Sequence, residues 1–137
     1  MKFSLISPYF KIAMPVILII LFISLGSCDR LIKKNILPDP LQAGWQGEDV
    51  CELLHEDEKL RVLRCTFAPG VGHERHYHNP HFGYAISGGK FSIKDTNGIR
   101  EVEIASGANF TSEGVKWHEV LNIGDSTSVF LIIEPKK

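Results

Sequence analysis

The sequence predicts an all-β domain, a sandwich or a barrel, on three observations. At least seven short runs alternate apolar and polar residues, turns rich in Gly, Asn and Asp separate them, and no stretch keeps a helical period. The first pair lies in VCELLHEDEKLRVLRCTF, where two apolar stretches flank the polar turn HEDEK. Residues 60–67, LRVLRCTF, place Leu63, Cys65 and Phe67 on one face, and Pro69, Gly70 and Gly72 follow as turn residues. Next come FGYAIS (82–87), a Gly88-Gly89 turn, KFSIK (90–94) and DTNG (95–98), a strong hairpin signal. IREVEI (99–104), NFTS (109–112), KWHEVLNI (116–123) and TSVFLIIE (127–134) complete the set. The interior must come from alternating positions such as Tyr84/Ile86, Phe91/Ile93 and Val102/Ile104, and the pattern leaves open which side of each strand faces in.

A chain of 137 residues allows one such domain, and its first part stands apart. Residues 1–27 hold Lys2 and Lys11, no acid, and the apolar run IAMPVILIILFISLGS up to Cys28. That run is short for a spanning helix and suits a signal peptide. Leu25-Gly26-Ser27-Cys28 resembles the lipobox of bacterial lipoproteins, which implies a mature chain lipid-anchored to a membrane through Cys28, in the cell envelope, on the periplasmic side or at the cell surface. A retained membrane helix or an ordinary secretory leader are the alternatives. Residues 28–47, with two prolines and two glycines, read as a tether and lead-in in which Trp45 packs on the domain; the domain proper is expected over 48–137. Without Lys2 and Lys11 the remainder has 13 basic and 16 acidic residues, a formal charge of −3. No basic block is present to meet phosphates, so no nucleic-acid partner is expected.

Cys51 and Cys65 flank the first turn symmetrically. A hairpin centred on Glu58 sets them opposite each other, where an oxidising compartment would allow a cross-strand disulfide; two buried free thiols are the alternative.

The chemistry concentrates in GHERHYHNPH, where four of the six histidines fall within residues 73–81. His76 and His78, two apart on a strand, point to one face as adjacent metal ligands do. His118 sits on another strand, beside Trp117 and Val120. Neutral imidazole suits iron, copper, nickel and zinc. His73, in a turn between Gly72 and Glu74, is expected to be exposed, and His55 to lie on the surface. Phe82 and Tyr84 are expected in the core or along the cavity. Glu74 and Glu113 are the nearest candidate acid–base groups. The sequence offers no defensible Ser-His-Asp order and no Gly-rich phosphate loop.

These positions resemble the two motifs of the cupin superfamily. Gly70, His76 and His78 keep the first half of the first; Gly88 closes it, with His81 seven positions before in place of the glutamate and a gap from His78 of two residues, one shorter than the usual minimum. Gly107, His118 and Asn122 keep the spacing of the second, with Glu113 at its proline, Val115 at its second glycine and Gly114 one place early. More narrowly, PGVGHERHYHNPH, YAISGGKF and HEVLNIGDSTSVFLIIEPK resemble small bacterial cupins, some connected with beta-alanine degradation. The resemblance implies a double-stranded β-helix, or jelly-roll barrel, and one divalent transition metal (Fe, Mn, Ni, Cu or Zn) on His76, His78 and His118, with His81 as a fourth candidate. It further implies a small organic molecule as partner, to be turned over by a metal-dependent oxygenase or related enzyme or only bound, and a homodimer. A set of histidines without a carboxylate would leave nothing in the site to neutralise the metal.

Overall fold

The computed structural model describes residues 37–136. The expected signal peptide (1–27) and the first part of the tether lie outside the described residues. Among the described residues no helix is long and apolar enough to cross a membrane. Leu37 opens the compact unit that runs to the C-terminus.

Among the described residues eleven strands form two facing sheets and a small ribbon. The ribbon pairs β1 (Gly44–Trp45) with β2 (Glu48–Asp49). One sheet has the order β5-β10-β7-β8, formed by Gly72–His78, Val115–Asn122, Gly89–Asp95 and Gly98–Ile104. The other has the order β3-β4-β11-β6-β9, formed by Cys51–Glu56, Leu60–Phe67, Ser128–Pro135, His81–Ser87 and Asn109–Ser112. From β5 onward the chain passes from sheet to sheet at each connection except the β7–β8 hairpin, and all pairings are antiparallel. This winding is the double-stranded β-helix, or jelly roll, that the sequence predicts.

Seven of the expected strands are present within a residue or two of their predicted ends. Cys51 stands opposite Cys65 and the two are joined in a disulfide. A bulge between Leu53 and His55 shifts the pairing nearer the turn, so Glu56 faces Arg61, while the register at the cysteines is kept.

Between the sheets Leu63, Cys65, Phe67, Ala85, Phe91, Phe130 and Ile132 form the buried core. Phe67, Phe91 and Phe130 meet edge to face, with ring centroids 5.4–6.1 Å apart, each pair worth about 0.5–1.5 kcal/mol beyond its area. In β6 the inward positions are the small ones, Gly83 and Ala85, so Phe82, Tyr84 and Ile86 point outward and are exposed. This corrects the expected placement of Phe82 and Tyr84 in core or cavity. The reason is steric: a Cβ on Gly83 would sit 2.2 Å from the Phe110 ring, which already fills that space. Phe91 is buried, and Ile93, Val102 and Ile104 pack against the core, so the other two alternations resolve inward.

The lead-in is part of the fold. Tyr77 N–H donates to the Pro38 carbonyl, Asp39 accepts from the Leu41 and Gln42 amides in a tight turn, Pro40 and Ala43 are buried, and Trp45 packs against the core as expected.

Candidate metal centre

His76 and His118 are cross-strand partners on β5 and β10, and His78 follows on the inward face of β5. Nε2 of His76 lies 3.0 Å from Nε2 of His78 and 2.9 Å from Nε2 of His118, and ligand atoms of all three fall within 4.8 Å of one another. Nitrogens held at about 2.1 Å from one ion stand about 3.0 Å apart at right-angle ligation and about 3.4 Å apart at the tetrahedral angle. The two short separations match the right-angle case.

The tautomers sharpen this. His76 Nδ1 lies 2.6 Å from the Glu74 carbonyl oxygen, which can only accept, so Nδ1 carries the hydrogen and Nε2 a lone pair. His78 Nδ1 lies 3.2 Å from Glu134 Oε1 and donates to it, so the neutral form of this ring, the form a metal binds, has its lone pair on Nε2 as well. Two lone pairs thus face each other at 3.0 Å, and a cation between them turns a repulsion into two bonds. Burial, with neighbouring imidazoles, pushes the pKa of His76 to about 2 and that of His118 to about 3, so these rings are held neutral, the form a metal binds.

Glu134, on the inward face of β11, went unmarked by the sequence reading. It is 2% exposed and its second oxygen accepts from Arg61 Nε–H. Arg61 also donates to Asp39, at 2.9 Å. Burial alone would raise the Glu134 carboxyl, but the hydrogen bonds from His78 and Arg61 outweigh it and hold the pKa below the usual range. The chain Asp39–Arg61–Glu134 therefore carries one net negative charge and ends on His78. The expectation that no carboxylate balances the metal is corrected here: the carboxylate comes from the last strand, through a histidine. A signal for it exists, since Ser128, Phe130, Ile132 and Glu134 share one parity and all are buried. A carboxylate at an inward position of a core strand needs a partner.

His81 is buried but differently placed. Its Nδ1–H donates to the Asn79 carbonyl at 2.8 Å, its ring lies 4.7 Å from that of His78 and edge-on to Phe110, and it groups with His78 and Glu134 rather than with His76 and His118. His73 is not exposed, as its place before the strand suggested, but 2% exposed. The pairing of β5 with β10 slips by one residue between His76 and His73, so Glu74 and Arg75 both face out and His73 turns in. Its Nε2–H donates to the Pro40 and Ala43 carbonyls, both at 3.1 Å, its ring stacks on His76 at 3.8 Å, and burial lowers its pKa to about 4. Glu74 and Glu113 are exposed and outside the cavity, so neither is placed for acid–base work there. His55 is on the surface, as expected.

The three imidazoles, with His73, line a cavity of about 110 Å³. Asn122, fully buried, staples the loop beyond β10 by donating to the Phe67 and Ser126 carbonyls and accepting from the Gly124 amide. Gly88 lets the chain cross within reach of the Ile104 carbonyl, which a Cβ would meet at 1.9 Å.

Among solved structures the chain is similar to a cupin domain from Bordetella pertussis, with 22% identity and a TM-score of 0.61 over 64% of this chain and 93% of that one. It is similar also to the polyketide cyclase RemF from Streptomyces resistomycificus, with 15% identity and a TM-score of 0.56 over 80% of each chain. The chain has a cupin fold. A cupin superfamily protein from Desulfitobacterium hafniense aligns at 12% identity and a TM-score of 0.51, over 64% and 76% of the two chains. At these identities the likeness shows the fold alone. No family model matches the chain, and no curated protein matches it by sequence.

Proposed function

We propose that this chain is a metal-binding cupin that holds one divalent transition metal on Nε2 of His76, His78 and His118 and presents it to a small organic molecule in the barrel. The observation that carries the reading is the pair of lone pairs set 3.0 Å apart, with the third imidazole alongside. Bound there, the metal supplies Lewis-acid or redox chemistry of the kind an oxygenase uses. The chain's own residues do the rest. Glu134 and the Glu74 carbonyl fix the ring orientations, and the aromatic core keeps bulk water from the inner wall. Right-angle spacing favours metals that take six ligands, such as iron, manganese or nickel, over tetrahedral zinc. His81, outside the trio, is a supporting residue.

A second reading, a binding or sensing module without turnover, is favoured by one observation: apart from imidazoles the cavity lining holds no side chain able to carry a proton. Oxygen uptake with a panel of thiols, diketones and small acids separates the two, since a flat response across the panel marks a binder. A place in beta-alanine degradation rests on the sequence resemblance and goes into the same panel.

The leader and Cys28 support anchoring of the domain by lipid in the cell envelope, to be tested by metabolic labelling with a fatty acid in the wild type and in Cys28→Ala. The outward Phe82, Tyr84 and Ile86 support a homodimer through the five-stranded sheet, to be read from the solution mass.

The direct test is metal analysis of the full chain purified in detergent without a histidine tag. We expect about one equivalent of metal in the wild type and in His81→Ala, and none in folded His76→Ala or His118→Ala. Wild type at the blank level, or unchanged metal in the last two, overturns the assignment.

A further inference from the structure

The walls of the cavity say more about the bound molecule than its size does. Beyond the imidazoles they are made by the rings of Phe67, Phe91, Phe110 and Phe130, by isoleucine and valine side chains, and by Cys65 of the disulfide. No lysine, arginine, carboxylate, hydroxyl or amide side chain lines the space. The His73 N–H and the Glu134 carboxylate are turned to protein partners. His73 spends its one N–H on the Pro40 and Ala43 carbonyls, and its Nδ1 faces the sulfur of Cys51, 3.9 Å away. Glu134 is turned away behind His78, between that ring and Arg61.

A ligand in this space therefore finds its main polar partner at the imidazole end, in the metal. Any second hydroxyl, amine or carboxylate on it would be buried against phenyl and alkyl groups with nothing to bond, at a cost of a few kcal/mol if neutral and far more if charged. The space is small, about 110 Å³, and it opens to solvent beside Phe110, which is 41% exposed.

We infer, resting on the metal-binding reading above, that the ligand has a single oxygen-donor head for the metal and, next to it, an uncharged apolar segment that lies against the phenyl and alkyl wall. A charged or strongly polar group directly behind the head, as in a short dicarboxylate or an amino acid, does not suit the inner cavity. The general expectation of a small organic acid narrows to a molecule with no polar group directly behind the head.

Three hydroxamic acids with one common metal-binding head test this. Acetohydroxamic acid has the head and a methyl group, butyrohydroxamic acid adds two methylenes, and succinomonohydroxamic acid ends a similar chain in a carboxylate. Each is titrated into the cobalt(II)-loaded full chain while the ligand-field absorption of cobalt is followed. The butyro compound should bind about tenfold more tightly than the aceto compound, as expected for two buried methylenes. The succino compound should bind at least about tenfold more weakly than the butyro compound. Phe110 lies on the cavity wall and is 41% exposed; because its ring also covers Gly83, Phe110→Leu, which keeps that cover, is tested beside Phe110→Ala. Each variant should weaken the butyro compound and leave the aceto compound unchanged. Cobalt binding with equal affinity for all three, or with the succino compound bound most tightly, overturns the inference while the metal site stands; an equal effect of Phe110→Ala on the first two does the same. A chain that takes up no cobalt overturns the metal reading and this inference together.

Discussion

Glu134 is the residue on which the site's electrostatics turn. It makes no entry into the cavity, yet it fixes the His78 tautomer and is the end of a buried chain with one net negative charge. Replacing it with glutamine keeps the shape and a hydrogen-bond acceptor but removes that charge. Partners of this kind change metal affinity about 10–100-fold. Competition with a chelator should place Glu134→Gln in that range below wild type, with near-wild-type far-ultraviolet dichroism. A variant that keeps full affinity would mean that the charge does not act on the metal. His76, His78 and His118 were legible because each carries a metal-ligating ring in a motif spacing. Glu134 was hidden because FLIIEPK reads as a core strand meeting a polar end, and its partner is 56 positions away.

At the scale of elements, strand positions were readable wherever turn residues bracketed an alternation, as in KFSIK-DTNG-IREVEI, because a period of two and a tight turn leave little freedom. Bulges were not readable. One residue of slip in β5 turned His73 from a solvent position into the layer behind His76, and the only trace in the sequence is the charged pair Glu74-Arg75 interrupting the inward parity. The first hairpin shows the reverse: its bulge lies on the turn side of the cysteines, so the symmetric centring on Glu58 still set them opposite. The bond between them closes a loop with a separation of 14 residues, which chain-entropy reasoning makes worth about 3 kcal/mol. The double variant Cys51→Ala/Cys65→Ala should lose about that much stability in urea, with little change in denaturant slope once wild type is compared in its reduced form. A loss under about 1 kcal/mol would show that the hairpin is already ordered in the unfolded chain.

For the molecule as a whole, the same burial that readies the site for a cation makes it vulnerable to acid. His73, His76 and His118 are lowered by burial to about 4, 2 and 3, whereas in the unfolded chain each returns to about 6.5. The sign follows directly. Above about pH 6.5 both states hold these rings neutral and the three make no difference; below it the unfolded state binds protons the folded state refuses, so stability falls as pH falls. Each group contributes about 1.4 kcal/mol per pH unit until its folded value is reached. Because the three rings are neighbours, protonating one hinders the next, and together they make acid the dominant threat to the fold. Glu134 acts in the same direction at lower pH, since its lowered carboxyl gives stability that is lost as it protonates. The metal-free protein, stripped with chelator, should therefore show a urea midpoint that is nearly flat between pH 8 and 7 and falls steadily below about pH 6. Divalent metal added at pH 6 should recover much of the loss, because the ion competes with protons for the same lone pairs. A midpoint unchanged between pH 7 and 5 would mean that these imidazoles take up protons in the folded state, and that the neutral cluster on which the metal site depends does not exist.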